Sequence, residues 1–343
     1  MDNSMKGAKT RWKILAGAVL GHRSLEAASE EHHISGKMSL KLFKTSPPLT
    51  YGDTDSTEVN LNSSDWVELT PYDPQQSQIP CTSRTLRLNI GNSLCWAGDS
   101  AHHLDERLRI LSGFDNTGNV RLWLSELLLA HVFLVPHFYP VLWSRLNLSV
   151  ERVCELGAGM SGAVGLSVSL SPSSLKPHYI LLSDGNDRCV KNLMKVVRYH
   201  LRRLDRLDTS TKFEVAKLVW PNQSTEQLSI PDRFRHSFQL VLAADCFFQT
   251  GSHRGLLTTI DQLLACDYPA TFIALAPLRG KTLPQFTSLA QASGTWLVTC
   301  LAPTDYISSS LLTYLLDCVP VDQHILWDSI LGHLLVLERK MNE

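Results

Sequence analysis

From about residue 113 onward the chain alternates short apolar runs with amphipathic stretches. The runs Val153–Leu156, Tyr179–Ser183, Phe213–Val219, Phe238–Ala243, Ala270–Ala276, Thr295–Leu301 and Gly332–Leu337 have the length and composition of buried strands. Helices are expected between them, over Val120–Leu134, Ala163–Leu170, Asn186–Leu204, Ser252–Ala265 and Thr282–Ala292. Asn186–Leu204 is the clearest of these. Its apolar residues Val190, Leu193, Met194, Val197, Leu201 and Leu204 recur at helical spacing and mark one packed face. Such alternation predicts an α/β domain, a mostly parallel Rossmann-like sheet with helices on both faces. In that architecture a ligand lies beyond the carboxyl ends of the strands, where the winding reverses. The residues just after each strand are therefore the ones that matter for function.

Upstream the pattern is different. Residues 43–82 are dominated by Ser, Thr, Pro, Asn, Asp and Gln and read as a low-complexity linker. The stretch 84–98 alternates Leu86, Leu88 and Ile90 ahead of Gly91-Asn92, a hairpin signal. The organisation expected is an extension over 1–83, opening with a short amphipathic helix near Ile14–Leu20, then a strand or hairpin segment over 84–112 and the main domain over 113–343. The 343 residues carry a formal charge of −1 and are 44% hydrophobic, so composition marks the chain neither as disordered nor as a general nucleic-acid binder. No apolar run reaches the roughly 18 residues of a membrane span. The eight cysteines show no C-x-x-C pair, and Cys154, Cys246, Cys266 and Cys300 sit in or beside apolar runs, which predicts buried free thiols in a reducing compartment. The expectation is a soluble monomer of the cytoplasm or nucleus that binds neither membrane nor nucleic acid. On that expectation the sequons at Asn62, Asn147 and Asn222 are chance matches.

The candidate chemistry lies at the strand ends. Gly157, Gly159 and Gly162 have the G-x-G-x-x-G spacing that in dinucleotide sites brings backbone N–H groups up to a pyrophosphate. Alone, the pattern is as often a tight turn. Glu155 argues against a pyrophosphate, because its carboxylate would repel one and favour a cationic ligand. Asp184-Gly-Asn186 follows the second strand, Trp220 the third, and Ala244-Asp245-Cys-Phe-Phe248 the fourth. Asp184 could cap a helix and Trp220 could fill a core. A carboxylate such as Asp245 abutting a buried run is seldom left unpaired. Taken together, carboxylates on three strand ends suit S-adenosylmethionine, which carries a sulfonium and an ammonium and no phosphate. A metal site is not signalled: the adjacent pairs His32-His33 and His102-His103 lack an H-E-x-x-H frame.

The stretches VCELGAGMSGAVGL (153–166), LLSDGND (181–187), FQLVLAADCFF (238–248) and ALAPLRGKTLPQF (274–286) resemble, in order and spacing, the calmodulin-lysine N-methyltransferase branch of the seven-strand family of S-adenosylmethionine-dependent protein methyltransferases. NTGNVRLWLSE at 116–126 and RWKIL at 11–15 are similar to that branch as well. The resemblance covers roughly 113–343 and departs at Leu124, Ala158 and Leu278, where proline, glycine and arginine are common. It implies that Glu155, Gly157 and Gly159 line the methionine end, that Asp184 holds the ribose and that Trp220 flanks the adenine, with Asn186 and Ala244 also among the cofactor-binding residues. Trp123, with Ser125 and Glu126, would belong to a segment closing over the cofactor. Asp245 and Phe248 would form an element at the target lysine, with Phe247 completing an aromatic slot. Calmodulin would be the partner. The helical stripe Lys191, Lys195, Arg198 and Arg202 is either a solvated face or a docking surface for such an acidic protein. Three alternatives stand beside this reading: methylation of another protein's lysine, a nicotinamide-dependent oxidoreductase, and a non-catalytic binding module.

Overall fold

The computed structural model describes residues 41–46, 66–74, 84–89, 122–146, 149–204, 211–221, 230–267, 269–317 and 330–340. Seven strands form one sheet: β4 (Arg152–Leu156), β5 (Tyr179–Asp184), β6 (Lys212–Lys217), β7 (Leu240–Ala244), β8 (Thr271–Ala276), β9 (Trp296–Leu301) and β10 (His333–Arg339), in the order β6-β5-β4-β7-β8-β10-β9. All run parallel except β10, which inserts antiparallel between β8 and β9. The expected doubly wound α/β sheet is present, and each apolar run lies within two residues of its strand at the N-terminal end. The main helices are α1 (Leu124–Leu134), α2 (Ala163–Ser169), α3 (Asp187–Leu204), α4 (His253–Leu263), α5 (Thr282–Ala292) and α6 (Ser309–Leu316). Apolar residues of the two sheet faces fall into two core clusters, one built on Val153, Leu182 and Leu242, the other on Cys154, Leu181 and Val241. This is the period-2 alternation of strands covered on both sides.

Two expectations need correction upstream. Parts of the stretch read as a linker are strands: β1 (Phe43–Ser46) and β2 (Trp66–Pro71) join β3 (Leu86–Asn89) in a three-stranded antiparallel sheet. Each contributes only a few apolar residues, too few to register as a core, but Leu42, Phe43, Val67, Leu69, Leu86 and Leu88 are all buried in the cluster that includes α1. Polar contacts fix the small sheet to α3. Arg87 pairs with Glu68 at 2.5 Å and donates to the Tyr199 hydroxyl at 3.2 Å, and the buried Asn192 amide donates to the Asn89 carbonyl at 2.7 Å. Here β3 pairs with β2; the hairpin turn expected at Gly91-Asn92 lies outside the described residues, as do the helix near Ile14–Leu20, the sequons, the histidine pairs and the 116–119 motif.

Smaller differences have local causes. Met194, expected on the packed face of α3, is 49% exposed, because the buried arc runs through Val190, Leu193, Val196 and Val197. Of the four cysteines expected to be buried, Cys154 and Cys246 are, whereas Cys266 and Cys300 are exposed at a turn and on the edge strand β9. Every residue of α1 is buried, including Glu126 and His131. The helix is therefore an interior strut between the large sheet and the small one. His131 completes that link: Nδ1 meets the Tyr139 hydroxyl at 2.8 Å and Nε2 the Tyr72 carbonyl at 3.0 Å. Among the described residues no helix is long and apolar enough to cross a membrane.

Burial lowers the His131 pKa to about 3, so the ring is neutral in the folded state. A depressed folded pKa gives stability that is complete above the unfolded value of about 6.5 and is lost as pH falls toward 3. His131→Gln cannot take up that proton. Thermal melts from pH 7 to pH 4 are expected to show a variant that is less stable at pH 7 but loses less on acidification than the wild type; parallel curves would count against a buried neutral histidine.

Candidate active site

The winding of the sheet reverses between β4 and β7, which are hydrogen-bonded neighbours. Two segments therefore meet at that crevice: the glycine turn after β4 and Asp245 after β7. In the turn, Gly157, Gly159 and Gly162 all have positive φ. A side chain at Gly157 would stand 2.7 Å from the Cys246 sulfur and 3.3 Å from the Trp220 ring, so only glycine lets the two strand ends close. Gly159 instead faces open space.

Several N–H groups of the turn and of the helix start are already committed. Gly165 donates to Glu155 Oε2 at 2.7 Å, Ala163 to Glu126 Oε1 at 3.3 Å, and Gly159 to Asp184 Oδ2 at 2.9 Å. Ala158 donates to the Ser183 carbonyl and Gly162 to the Ala158 carbonyl, each at 2.9 Å. The Ser161 hydroxyl also donates to Glu126. Three buried carboxyl groups, from α1, β4 and β5, thus fill the cradle that would hold a pyrophosphate in a dinucleotide site. Burial pushes the Glu126 carboxyl well above its ordinary range, and Glu155 adds to the effect. Glu155 rises to about 8, through burial, against the pull of its N–H donors.

The sequence-derived residues take distinct places. Glu155 is 1% exposed and points at the start of α2, behind the turn, rather than at the rim. Asp184 is likewise buried, its second oxygen accepting the Asn186 N–H at 2.8 Å. Trp220, Ala244 and Asn186 are half-buried at the rim, and Trp123 is half-buried at the start of α1. Ser125 and Glu126, expected with Trp123 in a closing segment, are buried inside the fold. Phe247 is 1% exposed and stacks on Phe286 at 4.4 Å between ring centres. Most of it is core, yet it also borders the cavity that the half-buried Phe248 lines with Asp245, Pro277, Arg279 and Thr282.

Asp245 sits at φ 54°, a left-handed backbone that a side chain adopts at a cost and that recurs at functional sites. Its N–H bonds the Leu275 carbonyl at 2.8 Å. Its Oδ2 accepts from Arg279 Nη1 at 2.6 Å, and the Arg279 guanidinium lies 5.2 Å from the centre of the Trp123 ring. Burial raises the Asp245 pKa above its ordinary value although Arg279 pulls the other way. Arg279 is a candidate residue that the strand-end rule did not single out in the sequence. It stands three residues past the end of β8, after Pro277 and Leu278, farther from its strand than Asp184 or Asp245 from theirs.

With committed donors, acceptor groups and half-buried aromatic rings, the crevice suits a phosphate-free ligand that carries positive charge. A family profile described as "Lysine methyltransferase" matches residues 104–285. The chain belongs to the lysine methyltransferase family. A relative in Arabidopsis thaliana, calmodulin-lysine N-methyltransferase, is 25% identical over 283 residues, covering 82% of this chain and 81% of the relative. Among solved structures, the CMeT domain of citrinin polyketide synthase matches with 14% identity and a TM-score of 0.34, over 62% of this chain and only about half (51%) of that one. An S-adenosylmethionine-dependent methyltransferase from Aquifex aeolicus matches with 9% identity and a TM-score of 0.33, over 61% of this chain and 91% of the other. The N-terminal domain of human METTL16, in complex with SAH, matches with 12% identity and a TM-score of 0.35, over 63% and 71% of the two chains. The enzyme is a lysine methyltransferase with S-adenosylmethionine as its cofactor.

Removal of the Glu155 carboxyl should expose its structural role. Glu155→Ala strands the buried Gly165 and Val164 donors, at about 1–3 kcal/mol for each unsatisfied group. Glu155→Gln, which resembles the protonated acid present at pH 7, should stay near wild-type stability. A raised folded pKa gives stability that is present below about 4.5 and lost as pH rises through about 8. Urea unfolding at pH 5 and pH 8 is expected to show a larger loss for the wild type than for the glutamine variant. Equal losses would remove Glu155 from the account.

Proposed function

We propose that this enzyme methylates a lysine of calmodulin, up to the trimethylated product. What supports the reading is the Asp245–Phe248 element beside the glycine turn, in a chain whose similarity to a calmodulin-lysine N-methyltransferase extends over 82% of its length. S-adenosylmethionine, when bound, supplies an electrophilic methyl group on a sulfonium. Gly157 and Gly159 frame its methionine end, Asp184 and Asn186 accept from and donate to the ribose hydroxyls, and Trp220 beside Ala244 covers the adenine. Each Asp184 oxygen accepts one backbone N–H, which fixes the direction of the carboxylate at the end of β5. Trp123 forms the outer wall of the crevice.

The nucleophile must be a neutral amine. A free lysine, with a pKa of about 10.4, is neutral in only about one molecule in 10³ at pH 7. Phe248 lowers that barrier by desolvating the side chain, because burial disfavours the ammonium form. Asp245 sets the direction of the nitrogen by accepting an N–H from it, which contributes through orientation. The π face of Phe248 also attracts a methylated ammonium and so keeps the product in place for a further transfer.

The partner is selected outside the crevice. Lys191, Lys195, Arg198 and Arg202 are all exposed along α3, which begins at the rim just after Asn186. Such a stripe speeds encounter with an acidic protein, and the effect fades with salt as the Debye length shrinks to about 8 Å at 0.15 M.

Incubation of calmodulin with the enzyme and S-adenosylmethionine is expected to raise its intact mass by whole methyl increments, with no gain when the target lysine is changed to arginine. Asp245→Asn should lower kcat on the order of 10²-fold while cofactor affinity stays within a few-fold. Lys195→Glu with Arg198→Glu should slow association at low salt and leave cofactor binding intact. If calmodulin gains no mass while another protein in a cell extract is labelled, the substrate is that protein.

A further inference from the structure

Arg279 and Asp245 meet in the partly buried crevice where the target amine would arrive. The Nη1–Oδ2 distance is 2.6 Å, and the side chains are 22% and 10% exposed. The guanidinium also lies 5.2 Å from the Trp123 ring centre, so it is held from two sides by groups of different elements. Among the described residues, Asp245 Oδ1 has no protein donor. It borders the cavity that Phe248, Pro277 and Thr282 line.

An unpaired carboxylate at this point would work against the reaction. It would attract a lysine as the ammonium and stabilise that form, which has no lone pair to give. The Arg279 guanidinium supplies the opposite charge at 2.6 Å. We propose that Arg279 is a positioning residue for methyl transfer: it cancels the charge of Asp245, so that this carboxylate orients the target amine without holding it as the unreactive ammonium. The proposal rests on the lysine-methylation reading above. The lysine's proton goes to solvent as the side chain enters. Its nitrogen lone pair then forms the N–C bond as the S–C bond of the donor breaks, and the positive charge passes from sulfur to nitrogen.

Other charges around the crevice do not replace Arg279. Lys281, on the same loop, is exposed. Glu155 and Asp184 lie behind Cys246, whose thiol they help to push up with Asp245. Glu126 is bound under the glycine turn. His253, behind Phe247, gives its Nε2 to the Phe247 carbonyl at 2.8 Å, and burial lowers its pKa. Burial favours the neutral acid at Glu126 and Glu155, and no other buried cation stands beside Asp245 among the described residues, so loss of Arg279 leaves the Asp245 charge uncompensated.

The test compares the full-length wild type with Arg279→Gln and Arg279→Lys. First, kcat is measured from pH 6 to pH 10 at saturating S-adenosylmethionine and calmodulin, or on the purified extract protein that carries the label if calmodulin does not. The acid limb of kcat reports ionisation in the bound complex. It is expected to move up by about one pH unit in Arg279→Gln, a loss of about tenfold at pH 7, and to return toward wild type in Arg279→Lys. Second, melting temperatures are compared from pH 5 to pH 8 without cofactor. Loss of the arginine raises the Asp245 pKa further, so Arg279→Gln should lose stability relative to wild type as pH rises, and Asp245→Asn/Arg279→Gln should not. A kcat that falls by one factor at all pH values, with the limb in place, would reduce Arg279 to a structural role and overturn the proposal. Melting curves for Arg279→Gln that stay parallel to wild type would also overturn it. If the wild type labels no lysine in calmodulin or in the extract, the lysine reading fails, and this proposal with it.

Discussion

The site depends on how one short helix start is satisfied. The first turn of α2 and the glycine turn before it offer a row of backbone N–H groups, and such groups cannot be buried without acceptors. In this chain the acceptors are internal: Glu126 from α1, Glu155 from β4 and Asp184 from β5. That choice sets the chemistry of the crevice. A dinucleotide site spends the same donors on pyrophosphate, whereas here a phosphate would meet three carboxyl groups and few free donors. The choice also ties three elements together at one point, so the geometry of the turn is inherited from the packing of α1 and the central strands. Asn192 extends the tie, since its amide bridges the Met160 carbonyl of the turn and the Asn89 carbonyl of the small sheet, both at 2.7 Å.

Across the same switch point the chain does the opposite. Asp245 is offered to the crevice, on a left-handed backbone and with an arginine alongside. One carboxyl group is thus held by an arginine while three are held by backbone N–H groups of the turn and of the neighbouring strand end. The difference lies in the partners: backbone donors hold the acids of the turn, and a side-chain cation holds the one at the rim. A lysine methyltransferase needs both arrangements, a site that admits a sulfonium and a site that receives an amine without trapping its proton.

Much of this was legible in the sequence, for identifiable reasons. The central strands are continuous apolar runs because both faces are covered, and Thr282–Ala292 is a helix with the bounds its pattern predicts. Gly157 and Asp245 follow such runs directly, so they could be placed at the rim. Side-chain direction could not be read in the same way. Glu155 and Asp245 each lie at the end of an apolar run, yet one turns inward and the other outward, because that depends on which N–H groups the neighbouring turn presents. Phe247 and Phe248 are adjacent and both border the cavity, and packing against Phe286 buries the first of them. The strands β1 and β2 were read as linker because their few apolar residues become a core only against α1 and α3, which lie far away along the chain. The insertion of β10 between β8 and β9 is a pairing choice that no local pattern records.

Calorimetric titration of the full-length protein with S-adenosylhomocysteine and, separately, with NAD tests the central claim most directly. A glycine turn whose donors are taken from within should bind the phosphate-free nucleoside in the low-micromolar range, about −7 to −8 kcal/mol, and give no heat with NAD at millimolar concentration. Binding of NAD with comparable affinity would mean that the turn can still receive a pyrophosphate, and would contradict the account.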